Sequence, residues 1–180
     1  MDVVFLSPAY PTDLPLFVSG LAEVGASVIG VGDQHPDALS ERTRRALSHY
    51  LQVGSWADED AALDSILAQL QGRNVDLVET LWEPLMLLAA RLRERIGVPG
   101  LSVADAIAFR DKGEMKRRVE AAGLRTPQSV RATTAAGVRE AAERIGYPII
   151  VKPIAGAGSA DTHRIEDDEE LCEKYGVPPQ

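Results

Sequence analysis

The chain has 180 residues, of which 45% are hydrophobic, so it can bury the core of one substantial domain or of two small ones. Its 27 acidic residues against 19 basic ones give a net charge of −8, which argues against a nucleic-acid-binding protein, because that class needs a basic face for phosphates. A single cysteine excludes a disulfide framework, and no apolar stretch reaches the ~20 residues that span a bilayer, so we expect a cytoplasmic protein without a membrane partner.

Over residues 1–100, short apolar runs alternate with helical patterns. Strands are predicted at residues 3–6, 27–31, 50–53 and 75–80. Helices are predicted over residues 17–24, 36–48, 63–70 and 84–96. This alternation predicts a doubly wound α/β domain, and the start of the chain fits a first strand better than a signal peptide.

Candidate substrate contacts follow the predicted strands, at the edge of the sheet where such domains bind ligands. Tyr10 comes after the first strand, and Glu83 comes after the fourth. We predict that both side chains contact substrate. For Glu83, which stands just before Pro84, the alternative is a role in capping the helix that begins there.

The pattern changes after Gly100, and we predict a domain boundary that divides the chain into residues 1–101 and 102–180. A charged helical stretch with a break near Lys112 is followed by strands at residues 129–132, 148–153 and 162–165 and by helices at residues 138–145 and 166–175. The acidic run of residues 166–170 is typical of a helix start and not of a metal site, because consecutive carboxylates point in different directions.

The strongest local signal is a lysine followed by a loop of small residues. Lys152 ends a predicted strand, and the loop comprises Gly156, Ala157, Gly158 and Ser159. A lysine at the end of a buried strand needs an anion or water, and the amides of small residues can approach phosphate oxygens closely. The alternative is a solvated lysine beside a hairpin turn. Walker and dinucleotide motifs do not fit, because the lysine precedes the glycines and Asp161 replaces a third glycine.

Six short motifs, in order over 50 residues, resemble the first subdomain of an ATP-grasp enzyme. They are residues 110–112, 115–116, 121–127, 145–148, 151–153 and 156–159. The preceding part is similar to the domain that comes before this module in carboxylate–amine ligases and carbamoyl-phosphate-synthetase-like proteins. The resemblance implies a Rossmann-like parallel-sheet pre-ATP-grasp domain over residues 1–101, followed by an incomplete α+β ATP-grasp subdomain over residues 102–180.

The resemblance also implies roles for single residues. Lys112 matches a cation that reaches the phosphates of ATP, although a solvated helix-end charge is the ordinary alternative for this residue alone. Lys152 matches the strand lysine on the α- and β-phosphates, and residues 156–159 match the flap over the triphosphate. Asp161 stands where many members carry glycine.

The implied function is ATP-dependent ligation of a small carboxylate to an amine through an acyl phosphate, with ATP and Mg²⁺ as cofactors. The family's second subdomain, which holds the magnesium ligands, has no counterpart before Gln180, so we predict no metal ligand in this chain and expect it to be inactive alone. One alternative is a non-catalytic fragment or subunit, in which a protein partner or a second copy covers the incomplete cleft. Another is a doubly wound binding module that takes no nucleotide.

Overall fold

The computed structural model describes residues 1–156 and 158–176. The chain divides into two compact units, Met1–Ala106 and Ile107–Gln180. We call them unit 1 and unit 2. The division falls inside helix α5, Val103–Arg110.

Unit 1 is built on a four-stranded parallel sheet in the order β3-β2-β1-β4. Its strands are β1 Asp2–Leu6, β2 Ser27–Gly32, β3 His49–Gln52 and β4 Leu77–Glu79. Its helices are α1 Leu14–Glu23, α2 Glu41–Ala46, α3 Glu59–Gln69 and α4 Met86–Ile96. The alternation of strands and helices confirms the predicted α/β class with a Rossmann-like parallel sheet.

Strand β1 is covered on both faces, as its uninterrupted apolar run predicts. Val4 and Leu6 belong to one core cluster, which α3 and α4 also enter. Phe5 points to the other face and packs with Leu14 and Val18 of α1. The sheet therefore lies between two apolar layers.

The predicted helix over residues 36–48 is wrong in its extent. The structure has a 3₁₀ turn at Pro36–Ala38 and then α2, because Leu39 is extended and the Ser40 hydroxyl caps a new helix by accepting from the Thr43 amide. A 3₁₀ turn at Glu83–Leu85 likewise precedes α4, which ends where Gly97 adopts a left-handed conformation.

Unit 2 pairs a two-stranded antiparallel sheet with helices. Its further elements are α6 Lys112–Ala121, α7 Ala135–Ile145, β5 Ile149–Val151, β6 His163–Ile165 and α8 Asp168–Tyr175. The core of this unit contains Ala142, Ile149, Ile165 and Leu171. Asp167 caps α8 by accepting from the Glu170 amide at 3.0 Å, so the acidic run begins a helix, as predicted.

Two expectations for unit 2 are wrong. Residues 129–132 form no strand, because their side chains are largely exposed and a strand there would bury little apolar surface. Lys152 is exposed and follows the end of β5, so the cost of burying a lysine does not apply to it. No helix in the described part of the chain has both the length and the hydropathy that a membrane span requires.

Candidate functional site

The end of α5 and the start of α6 are bonded to residues 154–156, where the chain enters the glycine loop. The Lys112 amide donates to the Ile154 carbonyl at 3.0 Å, and the Lys112 ammonium donates to the Gly156 carbonyl at 2.9 Å. The Arg110 guanidinium donates to the Ala155 carbonyl at 2.7 Å. These three bonds place a predicted phosphate-binding cation against the loop, although more than forty residues separate them in sequence.

The second half of the loop turns through left-handed backbone. Gly158, Ser159 and Asp161 have φ angles of 60°, 59° and 51°. Only glycine adopts this conformation without cost, and Asp tolerates it better than most residues because its short polar side chain can bond locally. Ala157, the remaining predicted loop residue, lies outside the described residues.

Lys152 lies beside an exposed apolar residue that the sequence analysis did not single out. Ile149 is buried, whereas 55% of Ile150 is exposed, so the alternation of β5 directs Ile150 to the open face of the sheet. Lys152 comes two residues later and is exposed as well. Arg164 of β6 is the cross-strand neighbour of Ile150. The alternation of buried and exposed side chains is the signal that identifies Ile150.

Positive charge is concentrated around Lys152. Burial lowers the pKa of Lys116, and the positive charge of Lys152 lowers it further, so the two ammonium groups are close enough to repel each other. The Lys116 ammonium donates to the Pro127 carbonyl at 3.0 Å. The convergence of Lys112 and Lys152 on one ligand stays a prediction.

Asp111 organises the start of α6. Its carboxylate accepts from the amides of Gly113 at 2.8 Å and Glu114 at 3.0 Å. The Glu114 amide has the largest effect in holding the pKa of Asp111 below its usual range, and the charges of Arg131 and Lys112 add to it. The carboxylate therefore stays ionised, and its bonds to the first turn of α6 fix Asp111 immediately before Lys112.

The predicted substrate contacts of unit 1 lie at the carboxyl edge of its sheet. Half of Tyr10 is exposed, and its ring meets Trp82 edge to face, with 5.1 Å between ring centroids. Glu83 begins the 3₁₀ turn before α4. At the end of β4, Glu79 pairs at 3.2 Å with Arg93, whose side chain is only 8% exposed. This edge offers an aromatic pair with carboxylates nearby.

Gly32, the last residue of β2, makes room for a neighbouring side chain. A Cβ atom on Gly32 would collide with the Tyr50 hydroxyl, which fills the space beside this glycine. Tyr50 donates to the Gln34 carbonyl at 2.8 Å, and burial is the main cause that raises its pKa to about 12. Within residues 1–156 and 158–176, no three His, Cys, Asp or Glu side chains form a possible metal site.

Comparison with known proteins identifies a matching family model and several relatives of this chain. The family model for the ATP binding domain of the carbamoyl-phosphate synthase L chain matches residues 111–177. Alanine–anticapsin ligase from Bacillus subtilis (strain 168) is 32% identical over 126 residues, which are 67% of this chain and 27% of that protein. Formate-dependent phosphoribosylglycinamide formyltransferase from Wolinella succinogenes is 27% identical over 179 residues, 93% of this chain and 45% of that protein.

A solved structure shares the fold over nearly the whole of this chain. The crystal structure of L-amino acid ligase from Bacillus licheniformis superposes with a TM-score of 0.77 at 24% identity, over 97% of this chain and 41% of that one. At this identity the likeness concerns the fold. The chain spans less than half the length of each of these three relatives.

Proposed function

The chain belongs to the ATP-grasp superfamily, and on that premise we propose that it binds the triphosphate of ATP at the glycine loop and takes part in joining a carboxylate to an amine. The observation that carries the proposal is the bond from the Lys112 ammonium to the Gly156 carbonyl, at 2.9 Å. The Lys112 donor is already charged, so a phosphate oxygen that replaced this neutral carbonyl would add the attraction of opposite charges to the hydrogen bond. Lys152, which precedes the loop in sequence, supplies a second cation.

The proposed reaction passes through an acyl phosphate. The carboxylate attacks the γ-phosphorus of ATP and ADP leaves; the amine then attacks the acyl carbon, loses a proton and displaces phosphate. Such transfers depend mainly on positioning and on neutralising charge. Lys112, Lys152 and the amides of residues 156–159 would do this for the triphosphate, and the apolar face of Ile150 would lie under a nucleotide base.

Mg²⁺ accompanies ATP in this proposal, but no ligand for it is assigned to this chain. The described residues bring no suitable set of metal-binding side chains together. We therefore derive no step through the metal.

The substrates are a small carboxylate and an amine, and the reaction belongs to the cytoplasm. Tyr10 and Glu83 would contact substrate at the carboxyl edge of unit 1, where a parallel sheet binds its ligands. The ligases among the relatives favour this function over that of a non-catalytic subunit.

Because the chain spans less than half of each of these relatives, the 180-residue form is expected to bind ATP without completing the reaction. An assay of ADP release with carboxylate and amine pools should show no substrate-dependent turnover. Ligation by the isolated chain would refute this part of the proposal.

Calorimetric titration with Mg²⁺·ATP tests the site. Lys112→Gln and Lys152→Gln should each weaken binding roughly 10- to 100-fold, as expected for the loss of one charge-assisted bond. Lys174→Gln is the matched control, because Lys174 is an exposed lysine of α8 outside the loop. Equal affinities in all four proteins would contradict the proposal.

A further inference from the structure

Unit 2 contains a cavity of about 300 Å³ whose lining includes no residue of the glycine loop. Its walls are helix α6, the end of α7, and residues 128–130 of the segment that connects these two helices, which we call the connecting segment. The polar side chains in the lining are those of Lys116, Arg117, Glu120, Gln128, Ser129 and Arg144. This volume is at the lower end of the range for small-ligand pockets.

Two of the three cations in the lining have no carboxylate partner among the described residues. Arg117 is paired with Glu114 on its own helix. Within residues 1–156 and 158–176, the Lys116 ammonium donates only to the neutral Pro127 carbonyl. The guanidinium of Arg144 has no acceptor in the described part of the chain. Lys116 and Arg144 therefore leave donors and positive charge for a ligand.

The single carboxylate of the lining does not neutralise these cations. Glu120 accepts a hydrogen bond from the Thr126 hydroxyl. Its charge raises the pKa of Lys116 against the larger effects of burial and of Lys152, but no ion pair recorded among the described residues joins the two side chains. The cavity remains electropositive.

The connecting segment adds unpaired hydrogen-bond donors to the lining of this cavity. Within the described residues, no acceptor pairs with the backbone amides of Gln128, Ser129 and Val130, because this segment joins no strand. The Ser129 hydroxyl and the Gln128 amide are also exposed and without a partner in that part of the chain. Successive free amides beside cations are the donors from which proteins build oxyanion sites.

We propose that this cavity binds a phosphoryl oxyanion, held by Lys116, Arg144 and the donors of residues 128–130. The ligand is either inorganic phosphate or a small phosphate monoester. The site shares no residue with the proposed ATP site, and phosphate should bind there in the absence of ATP. Its occupant would also offset the repulsion between Lys116 and Lys152, so the two sites would influence each other.

An NMR titration of the ¹⁵N-labelled chain with inorganic phosphate, at constant ionic strength with chloride, tests the proposal. We expect saturable shifts of the Ser129 and Val130 amides. The dissociation constant should rise at least tenfold in Arg144→Gln and in Lys116→Gln. It should stay unchanged in Arg125→Gln, a matched control that removes an exposed arginine from the same segment.

The Lys152→Gln variant separates this site from the ATP site. Shifts centred on residues 152–161 that disappear in Lys152→Gln would place phosphate in the glycine loop and overturn this inference while leaving the ATP proposal intact. Linear shifts without saturation would also overturn it. A parallel titration with glycerol 3-phosphate identifies the ligand. Tighter binding of glycerol 3-phosphate than of inorganic phosphate indicates that the ligand is a phosphate monoester, and the reverse indicates free phosphate.

Discussion

Unit 1 and unit 2 differ in how much apolar side chain they bury. The largest cluster of unit 1 has fifteen buried residues among those the structure describes, against four in the cluster of unit 2. Helix α6, which carries Lys112 and Lys116, has no buried residue. Unit 1 is held mainly by its core, whereas the start of α6 and the glycine loop are held by hydrogen bonds. The proposed ATP site is thus built on the less buried part of the chain.

The largest expected effect is on the core of unit 1. Phe5→Ala should lower the free energy of unfolding by about 3–5 kcal/mol, because it leaves a cavity under α1. Urea denaturation followed by circular dichroism measures the change. Phe109→Ala is the control, since Phe109 is 61% exposed and its loss should change stability by about 0.5 kcal/mol or less. Equal effects of the two substitutions would break the contrast between core and surface.

A smaller effect is expected where a glycine makes room for a side chain. Gly32→Ala should cost about 1–3 kcal/mol, because its Cβ atom collides with the Tyr50 hydroxyl. A double-mutant cycle with Tyr50→Phe measures the coupling. The penalty should shrink in the Tyr50→Phe background, and an undiminished penalty would show that the hydroxyl is not the obstacle.

In unit 2, the cap of α6 should matter less than either change in unit 1. Asp111→Ala should destabilise α6 and loosen the loop, whereas Asp111→Asn should retain the cap, because asparagine caps helices equally well. The folded state lowers the pKa of Asp111. The charge of Asp111 therefore stabilises the fold at pH values above the usual pKa of an aspartate, and this stabilisation is lost as the pH falls through the lowered pKa.

Acid titration of the wild type and Asp111→Asn, monitored by the amide signals of residues 112–115, measures this difference. The wild type should lose order at low pH more steeply than Asp111→Asn. Identical pH profiles would show that the charge of Asp111 does not support α6.

The smallest expected effect concerns the loop itself. Asp161→Gly relieves the cost of a left-handed backbone conformation at a non-glycine residue, but it also increases the conformational entropy of the unfolded chain. Because the two effects oppose each other, the free energy of unfolding should change by less than about 1 kcal/mol. Amide hydrogen exchange at residues 158–162 should nevertheless accelerate. Asp161→Asn should leave exchange unchanged, because asparagine also tolerates this conformation. Slower exchange in Asp161→Gly would contradict the expectation.

The sequence predicted unit 1 better than the segment that follows α6. Strand β1 follows directly from its apolar run, and the break at Asp111 follows from the residues on either side of it. The predicted strand at residues 129–132 is wrong because β propensity has little effect where neither face of the segment is buried. Ile150 was missed for a related reason, since its exposure depends on which face of β5 the core covers.

The sequence by itself determined the parallel α/β sheet, the helix that begins at the acidic run and the order of the six short motifs, because periodicity, capping and turn chemistry act over a few neighbouring residues. Only the tertiary structure decided that the Lys112 ammonium reaches the Gly156 carbonyl, that Lys116 lies near Lys152 and that Tyr50 fills the space beside Gly32. Such contacts depend on how helices and strands distant in sequence pack together, and no local pattern encodes those distances.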